Sequence, residues 1–230
     1  MSGSISNVKT QESIYHEFNS YLKREFSTFI VFIHMKSVSE FNLNIFRIAL
    51  CNSGGIRAAF DKGNVTMEDI LTTFPFSNTF DVVSLKGRYI REALEHSVDK
   101  FTNKNPNAWG GFLHVSGLQV VYNLDKNDGD RVVSLTVGDG KDLEDEQKYN
   151  IVTSNYVLGG GDGYTMISEN YESKVIGDLD TDVMKYEFSH FSPVSAKIEG
   201  RIKFEDQTNY ATPLKIDLLV GIAYGILALL

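Results

Sequence analysis

Apolar and polar positions along this chain form two kinds of pattern, short apolar runs and amphipathic stretches, which predict strands and helices respectively. Ile45–Leu50 is a predominantly apolar run of the kind seen in buried strands. Gly87–Lys100 instead places Ile90, Leu94 and Val98 at helical spacing, so one face of a helix would be apolar. The mixture predicts an α/β fold with a mixed sheet.

Further runs have the length and β-branched or aromatic character of strands. Asp125–Asp130 is rich in turn residues and lies between two of these runs, which predicts a hairpin there. The predicted strands are Thr79–Leu85, Phe112–Val115, Leu118–Leu124, Arg131–Val137 and Tyr149–Ser154.

Two more helices are indicated by their end signals. Thr66 is followed three residues later by Asp69, which is a capping-box pattern that opens a short helix. Thr181–Ser192 has apolar residues at helical spacing, and Pro193 ends it. Near the start of the chain, Gln11–Phe26 also has one apolar helix face, while Phe29–Ile33 fits either a buried strand or a continuation of that helix.

Composition restricts the function classes. The chain has 230 residues, of which 42% are hydrophobic, so it can build a substantial core. Its formal charge of −8 argues against a nucleic-acid partner, which requires a basic surface. The single cysteine, Cys51, excludes an intramolecular disulfide and a zinc cluster built on cysteines.

Two predicted strands run directly into glycine loops. The first loop is Asn52–Arg57, with the sequence Asn-Ser-Gly-Gly-Ile-Arg, and the second is Asn155–Tyr164, which contains Gly-Gly-Gly-Asp-Gly. Glycine permits positive φ and close approach of a ligand or a second strand to the backbone. A tight turn with a surface arginine is the simpler interpretation of the first loop.

Together with Thr73–Asp81 and the closing Glu199–Phe204, these loops occur in an order that resembles the C-terminal substrate-binding domain of 5′-nucleotidases, particularly the animal ecto-5′-nucleotidases. The resemblance extends from about Ala49 to Phe204. It implies a 5′-nucleotidase C-terminal domain fold over residues 42–204, preceded by a divergent segment, 1–41, and followed by a spacer and tail, 205–230.

The resemblance implies that a nucleoside or nucleoside 5′-monophosphate such as AMP binds this domain. Its base would lie between the rings of Phe76 and Tyr156, because aromatic rings stack on any base. The alternative for both rings is packing in the core.

Polar roles follow from the same resemblance. Asn52 would contact the base edge, Asp162 would accept hydrogen bonds from the ribose hydroxyls, and Arg57 would serve the ribose or phosphate side. Gly54 and Gly55 would allow the ligand to approach the backbone.

Catalysis in this family belongs to an N-terminal metallophosphatase domain, where two divalent metals, typically zinc, activate water. The motifs of that domain do not occur in this chain, so we expect no catalytic residue, no metal site and no cofactor here, and no phosphate release by this chain alone. The alternative function is a non-catalytic binding or dimerisation module that keeps only the fold.

Other chemistries fit the sequence less well. Cys51 has no histidine nearby in sequence, no Gly-x-Ser-x-Gly elbow is present, and neither glycine loop has a P-loop lysine. Asp125–Asp130 departs from the EF-hand register, and Asp142–Glu146 is most simply a solvated loop. His96, His114 and His190 lack neighbours at ligand spacing and are interpreted as core or surface histidines.

The C-terminus bears on location. Leu218–Leu230 is an apolar run of a length typical of a removable GPI signal, although a buried terminal helix is the alternative. Asn209 is the indicated attachment site, and Asn64-Val65-Thr66 is an N-glycosylation sequon. Although no signal peptide is recognisable, the resemblance implies a protein held on the extracellular face of the plasma membrane by a lipid anchor. The resemblance also implies a homodimer, in which a second copy of the chain binds through this domain.

Overall fold

The computed structural model describes residues 47–61, 63–101, 109–138, 140–194 and 199–205. The predicted helix at Gln11–Phe26, the run Phe29–Ile33, the proposed attachment site Asn209 and the tail Leu218–Leu230 lie outside the described residues.

The described residues form nine strands and five short α-helices. The strands are β1 (Arg47–Asn52), β2 (Phe80–Lys86), β3 (Leu113–Ser116), β4 (Leu118–Tyr122), β5 (Val132–Val137), β6 (Lys141–Asp142), β7 (Lys148–Ser154), β8 (Glu172–Val175) and β9 (Ile202–Phe204). The helices are α1 (Met67–Thr73), α2 (Gly87–Ser97), α3 (Asn155–Leu158), α4 (Thr165–Ser168) and α5 (Asp180–Phe191).

The strands make two mixed sheets. The first has the order β3-β1-β7-β2-β8, and the second has the order β6-β5-β4-β9. In the first sheet β1 runs parallel to β7, whereas every other pair is antiparallel. In the second sheet only β4 and β9 are parallel. The mixed α/β class predicted from the sequence is therefore confirmed.

Strand β1 is buried on both faces, which explains its nearly continuous apolar sequence. Ile48 and Leu50 point into the main core, which also contains residues of α2 and of the second sheet. Ala49 and Cys51 alternate to the opposite face, where smaller clusters include side chains of α5. The period of two along β1 thus separates two layers of packing.

Helix α2 connects the two sheets, because it contacts β2 of the first sheet and β5 of the second. Ile90 and Leu94, together with Val98 just after the helix, are completely buried in the main core, as their helical spacing predicted. The helix ends at Ser97, three residues before the predicted end. The next residues, Val98–Lys100, form a turn.

The capping box predicted at the start of α1 is present. Thr66 Oγ1 accepts a hydrogen bond from the backbone N–H of Asp69 at 3.2 Å, and the Asp69 carboxylate accepts one from the backbone N–H of Thr66 at 2.7 Å. The hairpin predicted around Asp125–Asp130 is also confirmed, since β4 and β5 pair antiparallel on either side of it.

The acidic run Asp142–Glu146 departs from a simple solvated loop. Asp142 belongs to β6 and Leu143 is buried, while Asp145 and Glu146 form exposed ion pairs with arginine and lysine side chains of the α2 region. Lys86, Arg88 and Arg91 provide those partners. Leu143 is buried in the main core, whereas the acidic side chains on either side of it are exposed. One apolar residue and the ion pairs therefore anchor an otherwise solvated run.

Glu95 is a buried acid on α2 that ties the helix to the second sheet. One carboxylate oxygen accepts from the backbone N–H of Arg131 at 2.9 Å, and the other accepts from that of Val132 at 2.7 Å. Both donors lie at the start of β5. The carboxylate therefore satisfies two backbone groups that would otherwise need another acceptor in this buried region.

Replacing Glu95 with Ala should destabilise the domain by about 2–4 kcal/mol, because two backbone donors in a buried region lose their acceptor. Chemical denaturation measures the change. Glu92→Ala, on the exposed side of the same helix, is the matched control and should shift the free energy of unfolding by less than about 0.5 kcal/mol. Equal effects of the two substitutions would contradict this role for Glu95.

Glu187 is a second buried acid, on the inner face of α5. Burial raises the pKa of its carboxyl from 4.5 to about 7, and the neighbouring His190 only partly opposes the rise. The folded state therefore keeps a proton that the unfolded chain releases at lower pH. The contribution of Glu187 to stability is largest below pH 4.5 and is lost as the pH rises through about 7.

Glu187→Gln should flatten the fall in the free energy of unfolding between pH 4.5 and pH 7, since the amide does not titrate. Urea denaturation of both proteins at several pH values tests this. Glu169→Gln, which changes an exposed carboxylate, should leave the wild-type slope in place. A parallel slope in Glu187→Gln and wild type would rule out Glu187 as its source.

Candidate functional site

The parallel pairing of β1 and β7 brings the two glycine loops together. Arg47, Ile48 and Ala49 lie opposite Asn150, Ile151 and Val152 in this pair. Parallel neighbours end at the same edge of a sheet, so the loops that follow them leave the sheet side by side. The first loop begins at Asn52, and the second begins at Asn155, directly after Ser154 at the end of β7.

The first loop continues the pairing of β1 with the segment before β3. Ser53 N–H donates to the Phe112 carbonyl at 2.8 Å, and Gly54 N–H donates to the Gly110 carbonyl at 2.7 Å. A Cβ on Gly54 would lie 3.1 Å from the Gly110 Cα, so the close approach predicted for this glycine is confirmed. Its partner is protein backbone, and neither Gly54 nor Gly55 has a positive φ.

A hydrogen bond between side chains joins the two loops. Asn52 Nδ2 donates to Asp162 Oδ2 at 2.8 Å, across 110 positions of sequence. Asn52 is only 4% exposed, so its amide is oriented by the protein interior. Both of these residues were predicted for the site from sequence, and the structure brings them into contact.

Tyr156 contacts the same carboxylate from α3, since its hydroxyl donates to Asp162 Oδ1 at 3.1 Å. Its ring crosses the glycine loop so closely that a Cβ on Gly161 would lie 2.4 Å from the Tyr156 Cε1. Tyr156 nevertheless remains 46% exposed. Core packing, the alternative for this residue, is therefore excluded.

Phe76 and Arg57 form the other part of the site. Phe76 is 55% exposed, which again excludes core packing, and the Arg57 guanidinium lies 5.9 Å from the centroid of its ring. Arg57 Nη1 also donates to the Gly54 carbonyl at 3.4 Å. Contacts therefore run from Phe76 through Arg57 to the first glycine loop, and from there through Asn52 to Asp162 and Tyr156.

His96 also contacts this site, which the sequence did not reveal. Its Nε2 lies 2.9 Å from the Asp162 carbonyl oxygen, and its Nδ1 lies 2.8 Å from Asp99 Oδ2. The ring makes edge contacts with Trp109 and Tyr164 at centroid distances of 5.3 and 4.9 Å. Its interpretation as an ordinary surface or core histidine without a neighbour at suitable spacing is therefore wrong in part, because Asp99 lies only three residues along the chain. The Asp162 carbonyl, 66 residues away, left no local signal in the sequence.

Backbone conformation at Asp162 explains why the loop needs such support. Asp162 has φ of 55° and ψ of 16°, in the left-handed region that residues other than glycine seldom adopt. Aspartate and asparagine tolerate this region better than most residues. Hydrogen bonds to its carbonyl and to both carboxylate oxygens hold it there.

Two ionisable groups, the Tyr156 phenol and the Cys51 thiol, have raised pKa values. Burial, followed by the hydrogen bond and negative charge of Asp162, raises the pKa of Tyr156, so its hydroxyl stays a donor at neutral pH. Burial raises the pKa of the Cys51 thiol to about 12, with a further rise from the Asp180 charge. A protonated, buried thiol is a poor nucleophile.

The remaining candidate residues lie in varied surroundings. His114 is buried, with its Nε2 3.1 Å from Ser53 Oγ, and His190 is exposed and stacks on Tyr186. Asn64 is exposed, as a glycosylation acceptor must be. In the described part of the chain, no three His, Cys, Asp or Glu side chains group as metal ligands, and no helix has the length and apolarity needed to cross a membrane.

Comparison with known proteins identifies similar chains. The family model described as 5′-nucleotidase, C-terminal domain, matches residues 10–169, so the match starts upstream of the boundary at residue 41 drawn from sequence. An apyrase of Tabanus yao is 39% identical over 165 residues, covering 68% of this chain and 29% of that protein. A snake venom 5′-nucleotidase of Macrovipera lebetinus is 31% identical over 219 residues, covering 90% of this chain and 52% of that protein.

Among solved structures, a 5′-nucleotidase precursor from Thermus thermophilus has a TM-score of 0.69 and 32% identity, covering 80% of this chain and 35% of that one. This chain therefore spans about half or less of the length of each of these proteins. The similarity concerns the fold described above.

Asp162→Asn should lower the pKa of Tyr156, because the amide removes the negative charge that disfavours the tyrosinate. NMR of protein labelled with 13C at tyrosine Cζ follows the titration, and Tyr156→Phe assigns the signal among the eleven tyrosines. Asp130→Asn, in the turn between β4 and β5, is the charge-matched control and should leave the Tyr156 titration unchanged. An unchanged titration in Asp162→Asn would show that burial alone causes the rise.

Proposed function

This chain belongs to the family of 5′-nucleotidase C-terminal domains, and we propose that it is the nucleotide-recognition domain of a 5′-nucleotidase acting on nucleoside 5′-monophosphates such as AMP. The observation that carries the proposal is the pair of exposed aromatic rings, Phe76 and Tyr156, beside two glycine loops that a hydrogen bond between side chains holds together. Exposed rings on rigid supports suit a flat ligand.

The rings supply stacking, which is worth about 1–3 kcal/mol per base. Water solvates an exposed aromatic ring poorly. A ligand that covers the ring removes its apolar surface from water, which lowers the free energy. Arg57 is exposed beside Phe76 and brings a positive charge that suits the phosphate or ribose side of a nucleotide. The overall charge of −8 makes this local cation more significant for an anionic ligand.

Asp162 is the proposed acceptor for the ribose hydroxyls. Its carboxylate is partly exposed and already oriented by Asn52 and Tyr156, so little conformational entropy would be lost on binding. Direct contact of Asn52 with the base remains a prediction, because its amide donates to Asp162 and is buried. Its role in this proposal is to hold Asp162, and the base-edge contact would require that bond to be exchanged.

Hydrolysis in this proposal belongs to a metallophosphatase domain with two divalent metals, typically zinc, which polarise the phosphoryl oxygens and activate water. None of the residues described above is assigned a catalytic role. The family's activity is therefore proposed for a whole protein in which this domain recognises the nucleotide. A second copy of the chain, bound through this domain as a homodimer, is a further proposed partner.

We infer an extracellular location from the resemblance to animal ecto-5′-nucleotidases, from the exposed sequon at Asn64 and from the apolar run Leu218–Leu230. A lipid anchor attached near Asn209 after removal of that run would place the protein on the outer face of the plasma membrane. These proposals rest on sequence.

Phe76→Ala and Tyr156→Ala should each weaken binding of adenosine and AMP by about 1–3 kcal/mol, since each removes one stacking surface. Isothermal titration calorimetry at fixed salt gives the affinities. Tyr156→Phe keeps the ring and should lose less. Phe191→Ala is the matched control, because Phe191 is also exposed, at 45%, but lies on α5.

Saturable millimolar or tighter binding that the control retains and the two Ala variants lose would support nucleotide recognition. Absence of binding by the wild-type chain, together with a stable dimer in analytical ultracentrifugation, would instead favour the alternative of a non-catalytic binding or dimerisation module.

A further inference from the structure

The loop that carries Phe76 has an unusual backbone conformation directly after the ring. Ser77 has a φ of 53°, in the left-handed region that residues other than glycine seldom adopt. Ser77 is exposed, so burial of its side chain does not impose this conformation. An interaction elsewhere must hold the backbone there, because serine by itself prefers a negative φ.

Asp180, the first residue of α5, holds the residue that follows Ser77. Its Oδ2 accepts a hydrogen bond from the backbone N–H of Asn78 at 3.2 Å, and its own backbone N–H donates to the Asn78 carbonyl at 2.8 Å. Both backbone polar groups of Asn78 are therefore bound to one residue, 102 positions away. Asp180 is only 2% exposed, and its Oδ1 accepts from the Thr181 N–H at 2.8 Å, so the carboxylate is firmly oriented.

The segment after Ser77 is also bound to α3, which carries Tyr156. The Thr79 carbonyl accepts a hydrogen bond from the Asn155 N–H at 2.9 Å. Phe76 lies three residues before Thr79, and Tyr156 directly follows Asn155. A short path of backbone therefore connects the two exposed rings, and Asn78 lies on it.

We propose that Asp180 is a positioning residue that holds the Phe76 loop in place relative to Tyr156 and so sets the gap between the two rings that receives a base. This inference rests on the proposed function for the role of the rings in ligand binding. The hydrogen bonds of Asp180 and the conformation of Ser77 do not depend on that function.

The position of the Phe76 ring depends on its backbone. Phe76 is 55% exposed, so packing of its own side chain does little to fix it. Stacking requires close contact, and a gap of about 0.5–1 Å already loses roughly a quarter to a half of the dispersion attraction between two atoms. A small shift of the loop would therefore weaken stacking although the ring itself is unchanged.

Asp180→Ala removes the carboxylate that accepts from Asn78. Adenosine affinity, measured by calorimetry at fixed salt, should fall roughly tenfold, which corresponds to about 1.4 kcal/mol. Asp182→Ala is the matched control, because it removes the same charge from the first turn of α5 at an exposed position. Asp182→Ala should bind adenosine as wild type does.

A double substitution distinguishes positioning from a general loss of structure. In a Phe76→Ala background, adding Asp180→Ala should weaken adenosine binding by less than about twofold, since no ring remains to be positioned. A merely structural role of Asp180 would weaken binding equally in both backgrounds. If Asp180→Ala does not fold, Asp180→Asn takes its place, because it keeps the size and one acceptor; we then expect a loss of roughly threefold in the presence of Phe76.

The position of Phe76 can also be measured without a ligand. The ring centroid lies 5.9 Å from the Arg57 guanidinium, so NMR cross-relaxation between these two side chains reports their contact. Asp180→Ala should reduce that signal and should also reduce the protection of the Asn78 amide against hydrogen exchange. Asp182→Ala should leave both measurements unchanged.

Ser77 offers a test at the surface, away from the buried carboxylate. Ser77→Val places a β-branched residue at a φ that such residues almost never adopt, so the loop should shift and adenosine affinity should fall about as far as in Asp180→Ala. Ser77→Asn is the matched variant, because asparagine tolerates the left-handed region, and it should bind as wild type.

The outcomes separate the positioning role from the proposed function. An unchanged contact between Phe76 and Arg57 in the Asp180 variant would overturn the positioning role, whether or not a ligand binds. An equal loss of affinity in the Phe76→Ala background, or full affinity in Ser77→Val, would overturn it as well. Absence of adenosine binding by wild type, together with the expected NMR changes, would contradict the proposed function but support the role of Asp180 in holding Phe76.

Discussion

The parallel pairing of β1 with β7 is the constraint on which the candidate site depends. Parallel neighbours finish at the same sheet edge, so two loops separated by about a hundred residues in the chain begin next to each other. The other neighbours of these two strands, β3 and β2, run antiparallel and bring turns to the same edge. Without the parallel pair, Asn52 and Asp162 would have no reason to meet.

Burial of β1 on both faces makes that pairing firm. Its apolar residues pack against α2 and the second sheet on one side and against α5 on the other. A one-residue slip would exchange the two faces and move every side chain to the wrong layer. The register therefore fixes where β1 ends and the turn Ser53–Gly55 begins. It thereby fixes the position of the Asn52 amide at the edge of the sheet.

Two polar side chains at the end of α2 contact backbone that is distant in sequence. Glu95 accepts two backbone hydrogen bonds at the start of β5, and His96, the next residue, contacts the backbone of the second glycine loop. The end of α2 is therefore a junction between the second sheet and the candidate site. This junction supports the exposed Tyr156 ring, since its hydroxyl donates to Asp162, whose carbonyl contacts His96.

Local patterns in the sequence determined six of the nine described strands, helix α2, the capping box at Thr66 and the two glycine loops, because each depends on residues within a few positions. The short strands β6, β8 and β9 were not predicted. The order of motifs also identified the family and brought Asn52 and Asp162 forward as partners in one site. Only the tertiary structure decided that Phe76 and Tyr156 are exposed, that Glu95 is a buried acceptor and that His96 supports Asp162. Exposure and hydrogen bonding at these positions depend on strand pairing and packing between segments 36 to 110 residues apart, for which no local periodicity carries a signal.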